Sequence, residues 1–491
     1  MKLTEDSGLL SQYRVPLIEA LTNSIKQQNS AFYAPGHKRG EGIAPSLATL
    51  LGKTVFQADL PELPDLDNLF APSGVIQKAQ ELAAEVYGAD QTWFLVNGST
   101  CGIISAILAT CRPGDKIIVP RNIHQSAIAG LILSGAVPIF INPEYDPIWD
   151  LAYSITPEAL ERALIENSEV KAVMVVYPTY HGICGDLQAI AKITHGYNIP
   201  LLVDEAHGAH FTFHPNLPFS ALSLGADLVV QSTHKVLGAM TQASMLHQQG
   251  NRIDPQRISQ ALQLTQSTSP SYLLLASLDG ARQQMALQGQ DLLSQTIELS
   301  QKVREEISQI KGLQILNLEQ PCPGFKQLDI TRLTVNVSGL GLTGFEVDEI
   351  LHQQLGVTAE LPMLRHLAFI ISIGNKTEDI NQLIKAFKTL TANLSPSPRH
   401  PVTPSPPPLL SSCYISPREA FFSATKMVNI EDSIGGISGE LICPYPPGIP
   451  LLMPGEKITA QAIEYLQKVL DLGGSITGCS DPSLKQLKII S

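Results

Sequence analysis

Short apolar runs alternate with helical patterns along most of this chain. The runs Trp93–Val96, Lys116–Pro120, Val137–Ile141, Ala172–Tyr177, Leu201–Asp204 and Leu228–Gln231 are apolar nearly throughout, not at every second position. Strands covered on both faces read this way, whereas half-exposed strands alternate. Segments of helical spacing lie between them, among them Cys101–Thr110 and Leu187–His195. Strand and helix in alternation predict a parallel, right-handed α/β sheet. Ligands of such sheets bind outside the carboxyl ends of the strands, so chemistry is to be sought in the strand-end residues.

Further along, the pattern from about Gln284 to Lys311 is helical and polar. Leu313–Leu316, Thr331–Val337 and Leu367–Ser372 then predict strands of a second, smaller α+β domain. The stretch Ser395 to Pro408 reads SPSPRHPVTPSPPP. Proline lacks an N–H and fixes φ, so this stretch predicts an extended linker. The organisation expected is an N-terminal segment over 1–50, a large ligand-binding domain over 51–310, a small α+β domain over 311–394, the linker over 395–408 and a C-terminal α+β domain over 409–491. No internal repeat is visible.

Composition narrows the class. A chain of 491 residues exceeds one compact core, and 44% hydrophobic with 16% charged residues is globular. The net charge of −12, with no long basic run, argues against nucleic acid or an anionic membrane as partner. It would suit a cationic substrate, although such acidity is ordinary in a soluble enzyme. Seven cysteines scatter between Cys101 and Cys479 without a Cys-x-x-Cys pair, and no histidines fall at zinc spacing. That pattern predicts reduced thiols, a cytoplasmic protein and no bound metal. Residues Met1 to Ser11 lack the basic start and apolar stretch of a signal peptide. No apolar run approaches the roughly 18 residues of a membrane span.

Four strand ends carry candidate chemistry. Leu95-Val96-Asn97-Gly98-Ser99-Thr100 leads straight into a helical run. Free N–H groups and the positive pole of a helix dipole suit a phosphate there, with Ser99 and Thr100 adding hydroxyls; an ordinary N-cap turn would look the same. His124, in Asn122-Ile123-His124-Gln125-Ser126, follows the next run and could stack on a flat ring, or be a plain loop histidine. The strand Leu201–Val203 ends in Asp204, followed by Glu205-Ala206-His207. A carboxylate buried at a strand end needs a partner, such as a protonated pyridine nitrogen. A metal with His207 and His210 is the weaker choice, since no His-Glu-x-x-His spacing appears. Last, Leu228-Val229-Val230-Gln231 runs into Ser232-Thr233-His234-Lys235. A lysine in a cleft loses part of its pKa to desolvation and can attack an aldehyde, whereas most single lysines are exposed loop residues. Taken together and in this order, the four match the phosphate, ring, ring nitrogen and aldehyde of pyridoxal 5′-phosphate (PLP).

At these residues the chain resembles the fold-type-I PLP enzymes and, more narrowly, the Orn/Lys/Arg decarboxylase family. The likeness covers nearly the whole chain. It includes Ala34-Pro35-Gly36-His37-Lys38, Glu62-Leu63-Pro64-Asp65-Leu66-Asp67, the Asn97–Thr100 turn, Val203–Ala209, Gln231–Lys235 and Ser267-Thr268-Ser269-Pro270-Ser271-Tyr272. The tail adds Pro444-Tyr445-Pro446-Pro447-Gly448 and Met453-Pro454-Gly455-Glu456, which generic aminotransferases lack. The resemblance implies a large mostly parallel-sheet domain with smaller α+β and C-terminal α+β domains. It implies PLP-dependent decarboxylation of arginine, lysine or ornithine to the amine and CO2, with arginine slightly favoured, in polyamine-related metabolism.

The resemblance further implies that Ser99, Thr100, Ser232 and His234 hold the phosphate and that His124 stacks on the ring. Asp204 pairs with the ring nitrogen, Ala206 and His207 lie beside the ring, and Lys235 is the Schiff-base lysine. Lys235 or His234 returns a proton to the α-carbon. Ser267 and Thr268 reach the phosphate of a neighbouring subunit, so a homo-oligomer, dimer or dimer of dimers, has its site at the subunit interface. Asp65 and Glu456 are candidates for the substrate's side-chain cation, with Glu456 bordering the entrance. Two departures stand out: Gln125 replaces a usual lysine, and only about 30 residues precede Ala34, too few for the receiver-like domain of the larger members. An aminotransferase or aldolase on the same fold, with Arg365 holding the α-carboxylate, is the nearest rival. A non-catalytic protein on this fold is the other, and intact Asp204 and Lys235 argue against it.

Overall fold

The computed structural model describes residues 11–27, 29–394, 414–445 and 449–491. The stretch expected to form the linker, 395–408, lies outside them, as do Pro446, Pro447 and Gly448. The main body holds a seven-stranded, mostly parallel sheet and the chain is mixed α/β. The predicted apolar strands all form, at Gln91–Leu95, Lys116–Pro120, Val137–Ile141, Val170–Val176, Leu201–Asp204 and Leu228–Gln231. One strand of this sheet was not expected: Ser244–Gln248. It runs antiparallel between Gln91–Leu95 and Leu228–Gln231, so the sheet is not purely parallel.

The chain divides into two compact units. The first comprises Met1–Ala109, Asp204–Pro215 and Phe219–Leu293. In it, helix Val75–Tyr87 buries one face with Ile76, Ala79, Ala83 and Tyr87 and ends at Gly88, whose left-handed conformation lets the chain turn back. The N-terminal segment is tied to helix Tyr272–Ser308 through a wholly buried ion pair. Arg282 binds Asp279, and its guanidinium also donates to Gln12 O at 2.9 Å. Asp279 accepts the Leu17 N–H at 3.0 Å. These carbonyls and amides meet the charges that burial strips of water.

The second unit comprises Thr110–Val203, Asn216–Pro218 and Ser294–Ser491. Lys116–Pro120 pairs in parallel with both Val137–Ile141 and Val170–Val176. The small α+β fold expected after residue 311 is a four-stranded sheet ordered Gln314–Ile315, Arg332–Asn336, His366–Ile370, Leu361–Pro362. Leu333, Val335, Leu367 and Phe369 pack with Leu351 of helix Gly344–Gln354 and Phe387 of helix Thr377–Asn393. In the tail, Thr425–Asn429 pairs antiparallel with Gln486–Ile490. Helix Ala460–Asp471 packs on that side through Ile463 and Leu466, with Leu487 and Ile489 opposite. No helix among the described residues is long and apolar enough to cross a membrane.

Candidate active site

Most of the predicted residues lie in the first unit, at strand ends or one turn beyond. Helix Gly98–Thr110 begins directly after Val96 and Asn97. Gly98 has φ +77°, a conformation that a side chain strains. A Cβ on Gly102 would fall 2.7 Å from Leu95 Cδ1 and 2.8 Å from Val230 Cγ1, so glycine lets the helix press onto the strands. This sets the free N–H groups of the first turn at the strand ends. The fully buried Ser232 donates its hydroxyl to Ser99 Oγ at 2.7 Å, which joins the first and fourth strand-end motifs. Thr100 is exposed. Around the same turn, Gln242 Nε2 donates to Val96 O at 2.7 Å and the Ser267 N–H to Asn97 Oδ1 at 3.2 Å. The side chains of Ser267 and Thr268 are exposed.

Lys235 sits on the short helix Thr233–Val236, half-buried, with Nζ 3.0 Å from His207 Nε2. An ammonium has no acceptor, so in this pairing His207 is neutral and accepts on Nε2. His234, adjacent to Lys235 in sequence, turns elsewhere: its Nδ1 lies 3.0 Å from Ala243 O. Burial, and then the nearby Lys235 charge, hold His234 below its ordinary pKa against the Ala243 carbonyl, so it stays neutral. His207, not His234, is therefore the histidine that touches the lysine.

Asp204 is half-buried and accepts the Ala206 N–H at 3.1 Å. The expectation that it is the buried carboxylate of this turn is corrected: that residue is Glu205, 0% exposed. Leu201–Asp204 ends at Asp204, the Glu205 N–H bonds to Val230 O at 2.9 Å, and the Glu205 side chain turns inward. Gln231 Nε2 and the Ala221 N–H each donate to it at 2.7 Å. Sequence reasoning passed over Glu205, because a charged residue beside a better candidate reads as solvent-facing.

Asp65, also in this unit, is exposed and accepts a 3.4 Å bond from Gln27 Nε2. Its neighbour Asp67 accepts the N–H groups of Ser73, Gly74 and Ile76 and so seats the start of helix Val75–Tyr87. These bonds outweigh burial and hold the Asp67 carboxyl below its ordinary pKa.

His124, Glu456 and Arg365 lie in the second unit. His124 caps helix Gln125–Ser134, accepting the Ser126 N–H at 3.2 Å. Gln125, the residue in place of a usual lysine, is exposed. Glu456 was expected to border an entrance. Instead it is 1% exposed, 2.9 Å from the Arg121 guanidinium, and accepts the Met453 N–H at 2.8 Å. Burial pushes its pKa up while Arg121 opposes that shift. Both contacts fall on Oε2, while Oε1 is buried with no hydrogen-bond partner among the described residues. Arg121 was missed in the sequence, since nothing local links it to a residue 335 positions away. Arg365 donates to the Ile148 carbonyl at 2.7 Å.

Against known families, residues 15–379 match the Orn/Lys/Arg decarboxylase major domain and residues 411–480 the C-terminal domain of the same enzymes. The chain belongs to the Orn/Lys/Arg decarboxylase family. It is 38% identical to the arginine decarboxylase of Bacillus subtilis (strain 168) over 485 residues, covering 98% of this chain and 99% of that one. It is 24% identical to the inducible lysine decarboxylase of Escherichia coli (strain K12), over 94% of this chain and 78% of that one. Among solved structures, the constitutive lysine decarboxylase of E. coli superposes with a TM-score of 0.83 at 20% identity, over 98% of this chain and 82% of that one. The fold is that of the fold-type-I PLP enzymes, and the family's decarboxylases depend on PLP.

The first unit's residues fit that cofactor. A hydroxyl pair stands at a helix N-terminus, where a phosphate is favoured. A half-buried carboxylate closes a strand, and a half-buried amine stands beside an imidazole. The Thr233 hydroxyl, next to Ser232, is buried and makes no hydrogen bond among the described residues, which leaves an unused donor at the same turn.

Proposed function

We propose that this chain decarboxylates L-arginine to agmatine and CO2, with Lys235 holding PLP covalently. The observation that carries the arginine reading is the likeness, 38% identical over nearly the full length of both chains, to the Bacillus arginine decarboxylase. Lysine is the second reading, favoured by the lysine decarboxylases among the structural neighbours. An aminotransferase is disfavoured, since the chain matches the decarboxylase major and C-terminal domains.

When bound, PLP supplies an aldehyde for the amino group and a ring that accepts the electrons freed as CO2 leaves. In this reading Ser99, Thr100, Ser232 and His234 gather at its phosphate. Asp204 would keep the ring nitrogen protonated, Ala206 and His207 would lie beside the ring, and His124 is the residue the family resemblance assigns to stack on it. Lys235 Nζ, with His207 Nε2 at 3.0 Å, returns a proton to the α-carbon. The carboxylate that leaves must stand perpendicular to the ring, and the groups on the two ring faces set that pose. Of the two carboxylates considered for the substrate's cation, Asp65 is exposed and Glu456 is buried, so Asp65→Asn should raise KM more than it lowers kcat.

The reading extends to a cytoplasmic homodimer, or dimer of dimers, in polyamine metabolism. Ser267 and Thr268, exposed here, would reach the neighbouring subunit's cofactor. Large apolar side chains left exposed near the chain's start, Phe32 at 95% and Leu50 at 77%, support such a contact. The proposed division remains a large PLP-binding domain over 51–310 and a small domain over 311–394, with a C-terminal domain over 409–491.

The test is to incubate the purified holoenzyme with arginine, lysine and ornithine and identify the amine formed. Agmatine with CO2 is expected. A keto acid would overturn the decarboxylase reading, and cadaverine or putrescine the arginine reading. Lys235→Ala should lose both the borohydride-fixable covalent attachment of PLP and turnover.

A further inference from the structure

Glu205 is fully buried one residue beyond Asp204, and burying a carboxylate is costly unless donors meet it. The donors belong to a chain of buried side chains. Gln231 Nε2 donates to Glu205 Oε2 at 2.7 Å, Gln231 Oε1 lies 3.1 Å from His247 Nε2, and His247 Nδ1 lies 2.8 Å from the Thr92 hydroxyl. Thr92, Gln231 and His247 are all buried. With the Gln231 amide nitrogen turned to Glu205, its oxygen faces His247. Nε2 must then carry the imidazole proton and Nδ1 accept from Thr92, so the chain runs in one direction.

The chain threads the strands Gln91–Leu95, Ser244–Gln248 and Leu228–Gln231 and ends on the residue after Leu201–Asp204. Its last two members flank the cofactor residues: Glu205 follows Asp204, and Gln231 precedes Ser232, which binds Ser99. The backbone closes the same junction, Glu205 N–H to Val230 O at 2.9 Å.

We propose that Glu205 is a positioning residue for the cofactor site: its hydrogen bond to Gln231 fixes the spacing between Asp204 and Ser232. This rests on the reading that those two residues hold the ring nitrogen and the phosphate of PLP. Because Gln231 and the Ala221 N–H stay buried, an apolar side chain at 205 costs stability whatever the residue's role, so a positioning role is read in cofactor affinity and kcat, not in melting temperature. What an apolar side chain cannot do is tie one strand end to the next at a set distance. Small misplacements of groups that orient a reacting molecule can cost up to roughly 100-fold in rate.

The experiment uses E205L, E205Q, Q231L and K235A. PLP is titrated into each apoenzyme by absorbance, the melting temperature of each apoenzyme is recorded, and kcat is measured on the loaded enzyme. E205L is expected to bind PLP about 10-fold more weakly and to lose about 10- to 100-fold in kcat, and its apoenzyme also melts lower, because the Gln231 amide and the Ala221 N–H lose their buried acceptor. Q231L should show the same defect, and the double variant should be no worse than either single one, since both cut one chain. E205Q should restore PLP affinity and kcat. A flipped Gln231 amide and the other His247 tautomer would reverse the chain without breaking it.

Wild-type PLP affinity and kcat in E205L overturn the proposal. So does E205Q as impaired as E205L, or a lowered apoenzyme melting temperature with PLP affinity unchanged. If E205L does not fold, Q231L and E205Q decide on the same criteria. K235A keeps the two failures apart: if it still fixes PLP covalently on borohydride reduction, the assignment of the cofactor site falls; if it does not while E205L and Q231L match wild type, only Glu205's role falls.

Discussion

Arg121 and Glu456, 335 residues apart, meet at 2.9 Å. Arg121 follows the strand Lys116–Pro120, three residues before His124, and Glu456 belongs to the C-terminal fold. The Arg121 guanidinium also donates to Pro450 O and Leu451 O, both at 2.8 Å. One side chain thus ties the loop that carries His124 to the tail that distinguishes this family. Arg121→Ala would leave the buried Glu456 carboxylate uncompensated and is expected to cost about 3–5 kcal/mol. Adding Glu456→Gln should recover much of that loss. Urea denaturation of the three variants measures it, and equal stability of Arg121→Ala and wild type would refute the pairing as a source of stability.

His207 touches Lys235 Nζ, whereas His234 turns its Nδ1 to the Ala243 carbonyl. His207→Gln is therefore expected to keep the holoenzyme's colour and to lose about 100-fold in kcat, the scale of one proton-transfer group. His234→Gln should lose less in kcat and show its effect in PLP affinity. Rates of CO2 release, together with absorbance titration, separate the two.

Burial pushes Glu205 up to about 8, against the bonds from Gln231 and Ala221, from an ordinary value of 4.5. A carboxyl whose pKa is higher in the fold than in the unfolded chain favours folding most below the unfolded value. That contribution declines as pH rises from 4.5 to about 8, by about 1.4 kcal/mol per unit at most. Burial acts on His247 in the other sense, holding it neutral with a pKa of about 3. Its contribution declines as pH falls below the ordinary 6.5. Melting temperatures across this range should therefore fall on both sides. Between 4.5 and 6.5 the two slopes oppose one another, so E205Q should flatten the fall above 6.5 and leave the fall below 4.5 alone; an unchanged fall above 6.5 would show that Glu205 does not titrate there.

The apolar strands were legible because each is a continuous run that only a doubly covered sheet accommodates. Ser244–Gln248 was not, since Ser244, His247 and Gln248 break the apolar pattern although all three are buried. His247 is satisfied across the sheet by Thr92 and Gln231, and Gln248 Nε2 by the Ile253 carbonyl just beyond the strand, at 2.7 Å. A polar strand of this kind cannot be told from a loop until its partners are placed.

The sequence by itself determined the order of Ser99, His124, Asp204 and Lys235 along the strand ends, because each is set by its own strand and the turn that follows. The residues that recognise the family are equally local. Tertiary structure alone decided which histidine meets Lys235, which carboxylate is buried after the fifth predicted strand, and that Glu456 is held by Arg121. Those are pairings between side chains far apart in the chain. Their energies depend on burial and on the donors that face each group, and neither exists before the strands are brought side by side.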